Sequence, residues 1–388
     1  MKVIGMISGT SFDGIDAGCF DLNVVDGVMS AKLIGFESFE YKKDVHDLIA
    51  KAMPPQMTDL ESICILDTYI GQEFARAAVE LSSQLSVTAD LIVSHGQTVY
   101  HWIDESHKAR GTLQLGEPTW IAEATGVSVI SNIRSRDVVV GGHGAPLVSI
   151  LDQLLLGARE EPVAALNLGG ISNVTVTGRG LTPLAYDIGP ANGLLDAAIA
   201  AFTNGAKHFD EDGNIAASGE VNIVILEKLL QEPYYALAAP KSTGKELFHL
   251  PYITAHFGEV LSWKIEDVMA TLLALTVETV ARDVEKYKVS QLYVAGGGSA
   301  NPVMMKALTD RLAPCEVLSM ASLGVDPRQK EALAFAIMGF LSAHGQPGSI
   351  PSCTGASKST ILGSFTPGSG PLQLPAPLAK APTTLVIA

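Results

Sequence analysis

Short apolar runs alternate along this chain with segments in which apolar residues return every three or four positions, the signatures of buried strands and amphipathic helices. Strands are expected at Leu91–His95, Val127–Ser131, Val163–Leu168 and Gln291–Gly296. The stretch from Thr58 places Leu60, Cys64, Ile70, Phe74, Ala77 and Leu81 at helical spacing, with Thr58 three residues before Glu61 as a capping box. A second helix is expected with Pro146 near its first turn. A third has Asp326 as N-cap, Pro327 at its first position and Gly345 as its stop, and both should be buried on one face. Strands alternating with helices predict an α/β class with mixed sheets.

A weak internal repeat sharpens this picture. "VIGMISGTSFDGIDAGCFDL", from Val3, and "VAALNLGGISNVTVTGRG", from Val163, both read as strand, small-residue turn, strand, so two halves are expected to share one plan. Turns of Gly, Ser and Thr present backbone N–H groups and hydroxyls at close range, which suits an anion, although an ordinary hairpin explains either turn alone. A third turn, Gly296-Gly297-Gly298, follows a buried strand and would let a ligand lie on bare backbone, but it lacks a dinucleotide fingerprint. Two Lys-Ser-Thr stretches are not P-loops, because Pro240 and Ser357 stand where Gly must precede the lysine.

Composition narrows the chemistry. At 388 residues the chain is long enough for two domains. With 47% hydrophobic and 17% charged residues it has the balance of a globular protein. A net charge of −15 and the lack of a Lys/Arg cluster argue against a nucleic-acid partner and for small molecules. Cys19, Cys64, Cys315 and Cys353 have no zinc or Cys-x-x-Cys spacing, which fits a reducing cytoplasm. No run reaches the ~20 apolar residues of a membrane span, and no secretory leader is expected.

Ten motifs occur in a set order: "GMISGTSFDGID", "SHGQTVYH", "LQLGEPTWIAEATG", "RSRDVVVGGHGAPLV", "LNLGGISNVT", "YDIGPANGLLDA", "PKSTGKELF", "AGGGSANP", "EALAFA" and "PSCTGAS". From Val3 to about Gly363 the chain resembles the anhydro-N-acetylmuramic acid kinases. The resemblance implies an actin-like sugar-kinase fold, two ribonuclease-H-like domains with a ligand cleft between them. The expected first domain is 1–155, joined by the C-terminal helix and tail from about 331–388, and the second is 156–330. The implied reaction opens the 1,6-anhydro ring with water while ATP phosphorylates O6, giving N-acetylmuramic acid 6-phosphate and ADP in peptidoglycan recycling and amino-sugar catabolism. An ordinary sugar or acyl kinase of the same fold, without ring opening, is the alternative. A nucleotide-gated clamp of the chaperone kind would need a peptide-binding domain beyond the core. The oligomeric state stays open, a homodimer included.

On this resemblance the first turn, Gly9, Thr10, Ser11, Phe12, Asp13, Gly14, Ile15 and Asp16, would embrace the ATP phosphates, with Gly169 and Gly170 facing them and Gly296, Gly297 and Gly298 on the nucleotide side. Asp13 and Asp16 would hold Mg²⁺, chiefly through water; their plainer role is turn stabilisation. Asp187 is implied as the base for the attacking water, its plainer role being a cap for a helix near Asn192. Glu331 would help hold that water, or serve only the helix dipole. Thr98, Arg134 and Arg136 would line the sugar side, an Arg fork suiting the lactyl carboxylate. His95 reads equally as a hydrogen-bonded strand-end histidine. The family often has Asp-Phe-Arg at Asn132-Ile133-Arg134 and Gln at His143, which bears on fine substrate preference. Beyond Gly363 the tail is longer than usual and carries five prolines, so extended or disordered structure is expected.

Overall fold

The computed structural model describes residues 1–9, 12, 14–53, 56–106, 108–244 and 246–388. The chain divides into two compact units, Met1–Leu155 with Gln329–Ala388, and Leu156–Arg328. The first unit contains strands β1 (Lys2–Ser8), β2 (Gly14–Val25), β3 (Val28–Glu40), β4 (Leu91–Ile103), β5 (Ala109–Leu115) and β6 (Val129–Ser131). The second contains β7 (Val163–Leu168), β8 (Ile171–Thr177), β9 (Leu184–Pro190), β10 (Gln291–Ala295) and β11 (Glu316–Ser319). The C-terminal stretch returns β12 (Ser364–Thr366) and β13 (Thr384–Ile387) to the first unit.

The two sheets repeat one topology. In the first the central order is β3-β2-β1-β4-β6, antiparallel among β1 to β3 and parallel from β1 to β4 to β6. In the second, β9-β8-β7-β10-β11 follows the same order and the same directions. This is the mixed α/β arrangement that the internal repeat predicts, once in each unit. The Gly9 turn between β1 and β2 and the Gly169-Gly170 turn between β7 and β8 therefore occupy equivalent places. The β2–β3 turn is Asp26-Gly27, both with positive φ, the chemistry of a tight hairpin.

Helix packing corrects several expectations. The helix Leu60–Leu85 is capped by Asp59, whose carboxylate accepts from the Ser62 amide at 2.7 Å, and not by Thr58. Leu66, Ile70, Phe74, Ala77 and Leu81 face the core, while Leu60 and Cys64 point outward, because the true face runs through Leu66. Each such fully buried large side chain stabilises by about 1.5–3 kcal/mol. The helix after Pro146 begins only at Ser149, whose hydroxyl donates to the Pro146 carbonyl. Asp326 caps a turn through the Arg328 amide, and the following helix is Lys330–Ala343.

That last helix is buried on every face except at Glu331, not on one face only. It lies against β1 and β2, where a Cβ at Gly5 would overlap the Ala332 carbonyl, and against β4, where Gly339 meets Val93. The bare glycines let its axis approach the sheet closely and set its first turn at the strand ends.

The tail is extended and engaged. β12 pairs antiparallel with β6 at one edge of the first sheet, and β13 pairs parallel with β3 at the other. Between them the Gln346 amide donates to the Leu378 carbonyl, and the Leu378 N–H to the His344 carbonyl, covering the end of the helix. Proline removes donors and favours extended backbone, and the two strands lie in its Pro-free stretches. All four cysteines are free, and no described helix is long and apolar enough to cross a membrane.

Candidate active site

In the first unit the turn after β1 is held from behind by Gln97, which is fully buried. Its Oε1 accepts from the Ser8 hydroxyl at 2.5 Å, and its Nε2 donates to the Gly9 carbonyl at 3.1 Å. The Phe12 amide also donates to the Gly9 carbonyl, so that oxygen is committed to the protein. Gly9 itself is exposed. Thr10, Ser11 and Asp13 lie outside the described residues. Gly14 opens β2 beside the Phe39 carbonyl, and Ile15 points into the core, so it offers a ligand main chain only. Asp16 stands on β2 opposite Ile7, with Oδ1 accepting from the Ser38 hydroxyl at 2.5 Å. Among the described residues, no group of three or more His, Cys, Asp and Glu side chains is placed to hold a metal.

Glu331 is the one exposed residue of an otherwise buried helix. Desolvation by the protein around it raises its carboxyl above its ordinary value, opposed by Arg134, while the charge of Asp16 adds to the rise. Exposure at the only acidic position of such a helix is what a ligand-facing group requires. Lys330, beside it, is buried and bridges Asp152 at 2.7 Å, which fixes the start of the helix.

Arg134 is gripped from two sides. Its Nε donates to His95 Nε2 at 2.7 Å and its Nη1 to the Gly144 carbonyl at 2.6 Å. His95 is buried, with Nδ1 on the Gly96 carbonyl at 2.9 Å, so its ring is neutral with the proton on Nδ1. Burial, then the nearby Arg134 charge, depress its pKa to about 3. Burial also holds His101 down, to about 4, with Arg134 and His143 adding to it. One guanidinium thus lies beside the two uncharged imidazoles of His95 and His101. Arg136 is exposed and apart from this grip. Thr98 is half-buried, its hydroxyl accepting from the Gln114 amide at 3.2 Å.

Asp137, which the sequence reading passed over, ties three motifs together. Fully buried, it accepts from the Gly144 amide at 2.8 Å and the Thr354 hydroxyl at 2.9 Å. The "RSRD", "GGHG" and "PSCTG" stretches therefore meet at one carboxylate.

In the second unit the Gly169-Gly170 turn docks on a helix start. The Gly169 carbonyl accepts from the Asn192 amide, and the Gly170 carbonyl from Ala191 and Gly193. Among the described residues the N–H groups of Gly169 and Gly170 have no backbone acceptor. A Cβ at Gly170 would meet only the Gly193 Cα at 4.0 Å, and one at Gly297 only the Asn192 amide at 3.8 Å. Space thus lies open over both backbones. Gly296 and Gly298 differ: a Cβ would strike Asn167 at 2.6 Å and Leu168 at 2.7 Å respectively, so these two glycines serve the fold.

Asp187 lies within β9, opposite Asn173 of β8, the strand that leaves the Gly170 turn. The helix Asn192–Phe202 has Ala191 at its cap position, and Asp187 does not cap it. Its Oδ2 accepts instead from the Ser242 hydroxyl at 2.7 Å and the Thr243 amide at 3.1 Å. Burial raises its pKa to about 6, against the lowering effect of those two donors. A carboxyl poised there suits proton abstraction near neutral pH.

The family model for anhydro-N-acetylmuramic acid kinase matches residues 1–368. The curated anhydro-N-acetylmuramic acid kinase of Streptomyces coelicolor is 48% identical over 386 residues, which cover 99% of this chain and 98% of the relative. That of Rhodococcus erythropolis is 48% identical over 395 residues, covering 100% and 99%. That of Caldanaerobacter subterraneus subsp. tengcongensis is 36% identical over 381 residues, covering 94% and 96%. The chain belongs to the anhydro-N-acetylmuramic acid kinase family.

Proposed function

We propose that this chain opens the 1,6-anhydro ring of 1,6-anhydro-N-acetylmuramic acid with water and transfers the γ-phosphoryl group of ATP to the freed O6. The products are N-acetylmuramic acid 6-phosphate and ADP. The observation that carries the reading is Asp187: a carboxylate held through one oxygen and raised to about 6, in the strand that pairs with the one leaving the Gly169-Gly170 turn. Asp187 takes a proton from the water as the water attacks C1. The opening C1–O6 bond leaves its electrons on O6, which then attacks phosphorus.

The remaining roles follow from chemistry. Gly169, Gly170 and Gly297 offer backbone donors to phosphate oxygens, as the exposed Gly9 does in the other unit. Arg134, with two donors spent on the protein, aims the rest of its fork at the lactyl carboxylate. Thr98 contributes a hydroxyl to the sugar. Glu331 holds the water. The hard carboxylate oxygens of Asp16 suit Mg²⁺, and with Asp13 this residue would hold the ion through water. When bound, the ion neutralises charge on the phosphates.

Water enriched in the heavy oxygen isotope tests the reaction. With ATP and Mg²⁺, mass spectrometry of the early product should place one label on C1 of a 6-phosphate. A phosphorylated product with the anhydro ring intact, or with no label at C1, would overturn ring opening by water.

A further inference from the structure

The Lys241–Thr243 stretch, whose Lys-Ser-Thr is not a P-loop, lies against Asp187. Both bonds from this stretch go to the same oxygen, Oδ2: the Ser242 hydroxyl at 2.7 Å and the Thr243 amide at 3.1 Å. Among the described residues nothing donates to Oδ1. The main chain of Asp187 is tied as well, its amide donating to the Lys241 carbonyl at 3.0 Å and its carbonyl accepting from the Tyr234 hydroxyl at 2.7 Å. Turning the carboxylate out of this plane would break both Oδ2 bonds at once, so one oxygen is kept on the protein and the other is left for a ligand.

We infer that Ser242 is a positioning residue for the general base: its hydroxyl, with the Thr243 amide, holds Oδ2 so that Oδ1 is the atom that accepts the proton of the attacking water. This rests on the reading of Asp187 as that base. Donors on Oδ2 also favour the ionised carboxylate. Other charges face it. Glu246 pushes the carboxyl up and Lys241 pulls it down. The Lys241 ammonium lies 4.6 Å from the Tyr234 ring, donates to the carbonyls of Tyr234 and Tyr235, and feels Asp283 and Lys286. Lys245 lies outside the described residues. Among the described residues no other group donates to the carboxylate, so the aim of Oδ1 falls to Ser242 and Thr243. Of these two, only Ser242 acts through a side chain that substitution can remove.

Ser242→Ala removes one charge-assisted hydrogen bond, and kcat should fall about tenfold. The acidic limb of the kcat profile should move to higher pH, because the ionised form has lost a donor. The KM for ATP and the melting temperature should stay within error of the parent, and Ser242→Thr should restore both kcat and the limb. Should Ser242→Ala melt early, Ser242→Cys, of similar shape with a weaker donor, takes its place. Parental kcat and an unmoved limb in a folded variant would overturn the inference, as would a loss that Ser242→Thr fails to restore. Asp187→Asn separates the two levels: if it is inactive while Ser242→Ala is unaffected, only the role of Ser242 falls. If Asp187→Asn is itself fully active, the base assignment falls.

Discussion

Arg134 donates its Nε–H to Nε2 of His95 at 2.7 Å, so a cation rests on an imidazole that has to be neutral to receive it. The ring is wedged against Phe335, with centroids 4.6 Å apart, and its other nitrogen is spent on the Gly96 carbonyl. Arg134→Lys keeps the charge and loses the fork, so the KM for the sugar should rise about tenfold or more while the KM for ATP is unchanged. An unchanged sugar KM would remove Arg134 from the substrate site.

The same pair predicts a pH dependence of stability. His95 sits at about 3 in the folded chain against 6.5 for a free imidazole. A base depressed by folding contributes stability that is present above about 6.5 and is lost as pH falls towards 3. The parent should therefore lose melting temperature on acidification from pH 7.5 to 5.0 faster than His95→Gln, which cannot titrate. Parallel losses in the two proteins would show that His95 does not carry this dependence.

Asp187→Asn keeps the shape of the side chain and removes the proton acceptor. Turnover should fall by roughly 10² to 10⁴, with ATP affinity changed far less. Stability moves the other way. The folded pKa is raised to about 6 from 3.8, so the parent loses stability as pH rises through that window. The variant should melt higher than the parent at pH 7.5, and the gap should close near pH 4. Near-parental kcat would end the catalytic assignment.

Gly296 and Gly297 are adjacent and predict opposite outcomes. At Gly297 a methyl group meets only Asn192 at 3.8 Å, so Gly297→Ala should melt like the parent and bind ATP more weakly by calorimetry. At Gly296 the backbone has φ +81 and a Cβ would lie 2.6 Å from Asn167, so Gly296→Ala should lower the melting temperature outright. Parental ATP affinity in Gly297→Ala would count against a phosphate role for that backbone.

How much of this could be read from the residues depended on the range of the interaction. The two strand–turn–strand units were readable because apolar runs and small-residue turns are local, and the sheet orders repeat accordingly. Element starts were less so: Asp59 and Thr58 are both good caps, and the register of the helix on its core, set by Leu66 and Ile70, decides between them. Asp137, Gln97 and Ser242 were invisible as site builders, since each acts across a large sequence separation on a partner that only folding supplies. A polar Gln in a buried strand was the one available signal. Glu331 could be placed in a first turn, but its being the sole exposed residue there follows from packing on Gly5 and Gly339.

The tail gives the last prediction. Residues after 368 lie beyond the family match, yet they order one edge of the first sheet. β13 covers Val28–Ala31 of β3, Leu385 is buried, and the Thr383 and Ala388 amides donate to the Gly27 and Ala31 carbonyls. Removing 369–388 would leave β12 on β6 but strip β3 of its neighbour and uncover the end of the Lys330–Ala343 helix. An unpaired strand edge is a template for other chains. None of the deleted residues is assigned to the reaction, so kcat should hold while the melting temperature drops by several degrees. Self-association should appear as concentration rises in sedimentation runs. A truncated chain that melts like the parent and stays in the parental assembly would show that the tail does not protect this edge. A fall in kcat at temperatures well below melting would show instead that the tail supports the Glu331 helix in its working position.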